Sequence, residues 1–324
     1  MGVFSRGRER FMSEKIAFLF PGQGSQSIGM GKDITNEFPE VKEIFDQVDH
    51  ICQKPISSLC FKGPLDELTL TVNLQPAITA VNLACLTALN KSGIAPTISA
   101  GHSLGEYAAL TSAGGISVND ALRLVKKRGE LMHREAVAHP GSMAAVLGMG
   151  IDAVGEIVAQ AGEKGVLAVA NHNTADQIVI TGEKEALSQA IDMIKEKGGK
   201  AIPLKVSGAW HCNLMKNAVD DFHQFMEGIS FSTLDRTMLF NAAAESEGDP
   251  EKIREIMARQ LISPVKWYDI ILKMLEDGVN TFVEVGPKKV LTGLLRKIIP
   301  REREAMLHNV GDVESLKVFL GSRT

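Results

Sequence analysis

Cysteine is scarce in this 324-residue chain: Cys52, Cys60, Cys85 and Cys212 are the only four, and no two form a C-x-x-C pair. This excludes a disulfide scaffold, makes a zinc site unexpected and points to a reducing, cytoplasmic compartment. Charge of one sign is lacking too. The 35 Lys+Arg and 39 Asp+Glu leave a net charge of −4, which gives no reason to expect nucleic acid as a partner. No apolar run approaches the roughly 20 residues of a membrane-spanning helix. The basic N-terminal stretch is followed by an apolar run of five residues, Ile16 to Phe20, that stops at Pro21-Gly22. A secretory apolar segment runs about 7–15 residues, so this one reads as no signal peptide. Arg6 stands where N-myristoylation wants Ser or Thr. Residues 1–12 show no periodicity and read as an extension outside the fold. The chain also has no Walker A motif, no G-x-G-x-x-G after a strand and no H-E-x-x-H, so neither nucleotide nor metal is expected and no cofactor is implied.

What is present is an ordinary globular composition, 44% apolar and 23% charged. At roughly 150 residues per domain the length suggests about two domains, or one large core with an insertion. The run 15–20 and the stretch 97–100 read as strands buried on both faces. Helical patterns cover about 33–50, 76–91, 105–113 and 118–137, the last with Ser117 as N-cap. Residues 142–205 follow the order strand, helix, strand, strand, helix, strand, which is ferredoxin-like. After it come helix 213–227, strand 237–241, helices 250–261 and 266–276, strand 280–285, helix 288–298, strand 305–308 and helix 313–320. The alternation predicts an α/β fold with a mainly parallel sheet. Residues 13–140 and 207–324 would form the large domain, and 141–206 an inserted subdomain.

Three residues carry the candidate chemistry. Gly101-His-Ser-Leu-Gly105 fits G-x-S-x-G, follows a buried strand and opens a helix. Such a turn holds its serine in a strained conformation at a helix N-terminus, where N–H groups favour an oxyanion, so Ser103 is the expected nucleophile. A serine needs a base. Of eight histidines, most lie in polar helix faces or at strand ends. His102 adjoins the serine but points away in a tight turn. His211 stands where the insertion rejoins the large domain and is the candidate base, against a structural role. Arg128 has Leu124, Val125, Leu131 and Met132 as its helical neighbours, so it projects from the core-facing stripe. A guanidinium there must find an anion, either an internal carboxylate or a substrate's.

At this point the chain resembles the malonyl-CoA:acyl carrier protein transacylases and the acyltransferase domains of fatty-acid and polyketide synthases. The resemblance covers about residues 15–300. It rests on Phe20-Pro-Gly-Gln-Gly-Ser-Gln26, Gln75-Pro76, Gly101-His-Ser-Leu-Gly-Glu106, Arg128-Gly129 with Met132, and Asn171-His-Asn173. Trp210-His211, Arg259-Gln260, Pro264-Val265 with Trp267, and Glu284-Val-Gly-Pro287 complete it in register. It implies an α/β-hydrolase-like large domain with a ferredoxin-like small one. It implies that Ser103 carries the acyl group, His211 acts as base then acid, and Arg128 pairs with the malonyl carboxylate. The Gln23 and Leu104 N–H groups would form the oxyanion hole, and the Gln260 carbonyl would orient the imidazole. His102, Met132, Asn171, Asn173 and Trp210 would line the pocket. The substrates implied are malonyl-CoA and acyl carrier protein, and we expect a cytoplasmic monomer. The rivals are another acyl unit in polyketide synthesis or malonate decarboxylation, and a serine (thio)esterase.

Overall fold

The computed structural model describes residues 14–323, so the extension expected over residues 1–12 lies outside the described residues. The strands are β1 (Ile16–Phe20), β2 (Ile98–Gly101), β3 (Ser142–Leu147), β4 (Leu167–Thr174), β5 (Gln177–Gly182), β6 (Lys200–Pro203), β7 (Thr237–Leu239), β8 (Thr281–Val285) and β9 (Met306–Val310). They form two sheets. One has the order β7-β2-β1-β8-β9 with every pair parallel. The other has the order β4-β5-β3-β6 with every pair antiparallel, which is the ferredoxin-like arrangement.

The parallel sheet is buried on both faces because helices cover both. β1 shows how the pleat divides the core. Ile16, Phe18 and Phe20 enter the cluster that also holds helix Thr71–Lys91, whereas Ala17 and Leu19 enter the cluster on helix Trp267–Glu276. The antiparallel sheet has its own core, in which Val146 and Ile180 pack against Val154, Ile157 and Ile194. The small sheet is joined to the large domain through β4 and the segment before helix Trp267–Glu276: Val265 N donates to Ala170 O at 2.8 Å, and His172 N donates to Val265 O at 2.9 Å.

Several elements differ from the pattern read off the sequence. The helix expected over 33–50 is two helices, Lys32–Glu37 and Pro39–Cys52. Phe38 precedes a proline and is extended, which ends the first helix, and Pro39 opens the second. Helix Thr71–Lys91 begins five residues before Pro76, which lies inside it. Its 21 residues are long and apolar enough to cross a membrane by length and composition, yet 17 of them are buried inside the large domain. Helices Ile56–Lys62 and Leu65–Thr69 are not evident in the sequence pattern. Elements of one or two turns have little intrinsic stability and exist through packing, here of Ile56, Leu59, Cys60 and Leu68. The segment expected as helix 213–227 opens as a 3₁₀ turn, Asn213–Met215, before helix Asn217–Met226.

Candidate active site

The loops that follow β1, β2 and β7 all emerge at the C-terminal edge of the parallel sheet, where open α/β folds place ligands. The loop after β2 is the elbow. A Cβ on Gly101 would lie 1.9 Å from the Gly105 carbonyl carbon, and one on Gly105 would lie 1.9 Å from Phe20 O. Only glycine closes this turn. Between them Ser103 has a φ of 50°, a conformation that costs a non-glycine residue energy and is held by its surroundings. Asn241, just beyond β7, does much of that holding. Its Oδ1 accepts from Ser103 N at 2.7 Å, its Nδ2 donates to Gly101 O at 2.7 Å, and its own N donates to Glu106 Oε1 at 2.7 Å.

Ser103 Oγ and His211 Nε2 are 2.8 Å apart. His211 itself has a φ of 63° and is 5% exposed. Its Nδ1 faces two carbonyl oxygens, Gln260 O at 3.1 Å and Ser263 O at 3.0 Å. A ring nitrogen between two acceptors carries the proton, so Nε2 is the lone pair offered to Ser103. Among the described residues no carboxylate meets the ring. Burial first, then the charge of Arg128, hold His211 far below the usual imidazole range, at about 3. The imidazole is therefore neutral and able to accept a proton.

Arg128 is fully buried. Its Nη2 donates to Ser103 Oγ at 3.1 Å, its Nη1 to Gln75 Oε1 at 2.9 Å, and its Nε and Nη2 to Gln260 Oε1 at 3.1 and 3.0 Å. Its guanidinium also lies 5.7 Å from the Tyr107 ring centroid. Among the described residues no carboxylate forms an ion pair with it. No internal carboxylate touches it, and a buried positive charge stands beside the serine with only neutral oxygens in direct contact, Glu106 acting on it through space. Glu106 approaches one amide away, since its Oε2 accepts from Gln260 Nε2, and burial pushes its carboxyl up to about 7.

The remaining predicted residues fall in four places. The loop that carries Gln23 packs on the elbow that carries Leu104: a Cβ on Gly22 would sit 2.5 Å from His102 O and 3.5 Å from Leu104 N. His102 Nε2 lies 2.9 Å from Asn173 Oδ1, which ties the elbow to β4 of the small sheet, and Asn171 forms a bridge with Val265. Met132 sits behind the guanidinium, its Sδ accepting from Gln75 Nε2 at 3.2 Å. Trp210 folds back over Gly208, next to Ala136, and no described hydrogen bond joins it to Ser103, His211 or Arg128. Asn241 and Ser263 escaped the sequence reading. Glu106 and Gln75 stood in quoted motifs without a role. For Asn241 the available signal was its place after a strand next to β2.

The acyl transferase domain model matches residues 17–313. The malonyl CoA-acyl carrier protein transacylase of Bacillus subtilis (strain 168) is 42% identical over 308 residues, covering 94% of this chain and 96% of the relative. That of Escherichia coli (strain K12) is 38% identical over 287 residues, covering 88% and 93%. Among solved structures, the malonyl CoA-acyl carrier protein transacylase from Clostridium perfringens superposes with a TM-score of 0.90 at 41% identity, covering 95% of this chain and 97% of its own. A malonyl-transacylase in complex with a type II PKS acyl-carrier protein gives a TM-score of 0.91 at 36% identity, covering 95% and 100%. The motifs and the elbow lie inside that match, and so do both sheets almost entirely; the chain belongs to the acyl transferase domain family.

Proposed function

We propose that this chain transfers a malonyl group from malonyl-CoA to the phosphopantetheine thiol of acyl carrier protein through a malonyl-Ser103 ester. The observation that carries the reading is the buried Arg128 guanidinium, 3.1 Å from Ser103 Oγ and without an internal carboxylate. A neutral acyl chain would leave that charge unpaired, whereas a malonyl carboxylate can take a two-pronged contact from it. His211 Nε2 takes the Ser103 proton as Oγ adds to the thioester carbonyl, and the oxyanion faces the N–H groups of Gln23 and Leu104. The tetrahedral adduct collapses, the C–S bond breaks and the proton passes to the departing CoA sulfur. In the second half, the carrier thiol gives its proton to His211 and attacks the ester carbonyl. The C–O bond then breaks and Ser103 Oγ recovers the proton. No step needs a cofactor.

A serine hydrolase would want a carboxylate on the base, and here two backbone carbonyls occupy that position. The four cysteines are free and buried, which supports a reducing, cytoplasmic setting. We read the chain as a monomer. Lys288 Nζ reaches Gly24 O at 3.4 Å, so an exposed cation stands beside the Gln23 loop where an acidic carrier would approach. Intact-mass spectrometry tests the reading. Mixed with malonyl-CoA, the protein should gain one malonyl group, keep it until carrier protein is added, and gain none when Ser103→Ala is used. Release of free malonate without carrier would favour the hydrolase.

A further inference from the structure

Glu106 is 1% exposed at the start of helix Glu106–Ser112, and the transfer chemistry described above does not use it. Both of its oxygens accept hydrogen bonds: Oε1 from the backbone N of Asn241 at 2.7 Å, Oε2 from Gln260 Nε2. The first donor is a backbone amide and cannot rotate. The second belongs to an amide whose other end is committed, because Gln260 Oε1 accepts twice from Arg128 and its Nε2 also donates to Ser103 O at 2.8 Å. Turning that amide over would set its NH₂ against the guanidinium, and its oxygen against both the carboxylate and Ser103 O. All four contacts would then be mismatched. The carboxylate, together with Ser103 O, thus fixes which end of Gln260 faces Arg128.

We infer that Glu106 is a positioning residue for acyl selectivity: through Gln260 it holds a neutral oxygen, rather than a carboxylate, against Arg128, and so keeps the guanidinium free for the carboxylate of an incoming acyl group. Glu106 is close enough to anchor the network and one amide too far to pair with Arg128 directly. Gln260 spreads the effect, since its side chain bonds Arg128 and Ser103 while its backbone O orients His211. The inference rests on the malonyl-transfer reading.

Two variants test it. In Glu106→Gln an NH₂ must face either Asn241 N or Gln260 Nε2, both donors, and the clash pushes the Gln260 amide off its seat, so that its hold on Arg128 weakens. The ratio of malonyl to acetyl loading on Ser103, from competing malonyl-CoA and acetyl-CoA, should fall at least tenfold. The fall should come mainly from a higher KM for malonyl-CoA. In the double variant Glu106→Gln/Gln260→Glu, donors again meet acceptors along the chain, giving up only the bond to Ser103 O. Its melting temperature should recover most of the loss seen in the single variant. A carboxylate now rests on Arg128, so the malonyl preference should stay at least tenfold below that of the unmodified protein. A single variant that loses both substrates by one factor would overturn the inference. So would a double variant that does not fold, or one that keeps the original preference. Failure of the unmodified protein to prefer malonyl-CoA would instead strike the functional reading itself.

Discussion

Helix Val118–Ala138 carries two kinds of cation, and the contrast between its faces separates structure from function. On the outer face every basic side chain with an ion pair finds it nearby. Arg123 meets Asp120 at 3.0 Å, Lys126 meets Glu130 at 3.8 Å, and Arg134 meets both Glu135 at 2.6 Å and Asp221 at 2.5 Å. Most of these groups keep access to water, which would solvate them in any case. Arg128, on the inner face and fully buried, has three amide or hydroxyl oxygens and no carboxylate. Folding alone would favour the opposite distribution, because desolvating a charge is expensive and a counter-ion offsets it. A counter-ion absent from direct contact where the need is greatest marks a place kept for one that arrives with the substrate.

The largest effect that sharpens this contrast is expected at the base. His211→Ala should slow Ser103 acylation by malonyl-CoA by about 10²–10⁴, the usual contribution of a general base. Its thermal unfolding should change much less, as rapid-quench loading and calorimetry together would show.

A second effect follows from the field of Arg128 on the imidazole. His211 is held at about 3 by burial and by that charge, so it keeps its lone pair where an ordinary imidazole, with a pKa near 6.5, would lose it. Loading of acetyl-CoA, which does not use Arg128, should show no titration of His211 centred near pH 6.5 between pH 8 and 5; Glu106, pushed up to about 7, is the group beside the site that titrates there. Stability behaves differently. Below pH 6.5 the unfolded chain takes up a proton that the folded His211 refuses, so His211 lowers the melting temperature as pH falls through that region. An acylation rate lost with a midpoint near 6.5, and lost in the same way in Glu106→Gln, would mean that the imidazole is not in this environment.

The smallest effect belongs to the outer face. Lys126→Ala removes a half-exposed pair to Glu130 and should cost less than about 0.5 kcal/mol, with no change in acyl selectivity. Denaturant titration and a competition assay would check both parts.

Much of this contrast was legible before any coordinates. Arg128 betrays itself by the apolar residues three and four positions away, and the elbow by its glycines after a buried strand. His211 was only a candidate, because nothing local distinguishes a histidine that meets Ser103 across 108 residues. Asn241 was invisible for a related reason. It follows a three-residue strand, and its partners are Gly101, Ser103 and Glu106, from 135 to 140 residues away. Gln260 was seen for its backbone carbonyl, but its side chain, which joins Arg128 to Glu106, depends on the packing of three helices. Periodicity reports which face of an element is buried. It does not report which polar groups meet there once the elements have packed.

The central claim, that the buried charge of Arg128, touched by no carboxylate, selects a carboxylated acyl group, is tested most directly by competing malonyl-CoA and acetyl-CoA for Ser103 in the unmodified protein and in Arg128→Ala, with the adducts scored by mass. A charge-assisted contact of this kind is worth about 1.5–3 kcal/mol, more when desolvated. Malonyl kcat/KM should fall by about ten- to several-hundred-fold, acetyl should change far less or improve, and Arg128→Lys should restore only part of the loss because an ammonium cannot make the two-pronged contact. Equal loss of both substrates in a folded Arg128→Ala protein would contradict the account and make Arg128 a structural residue.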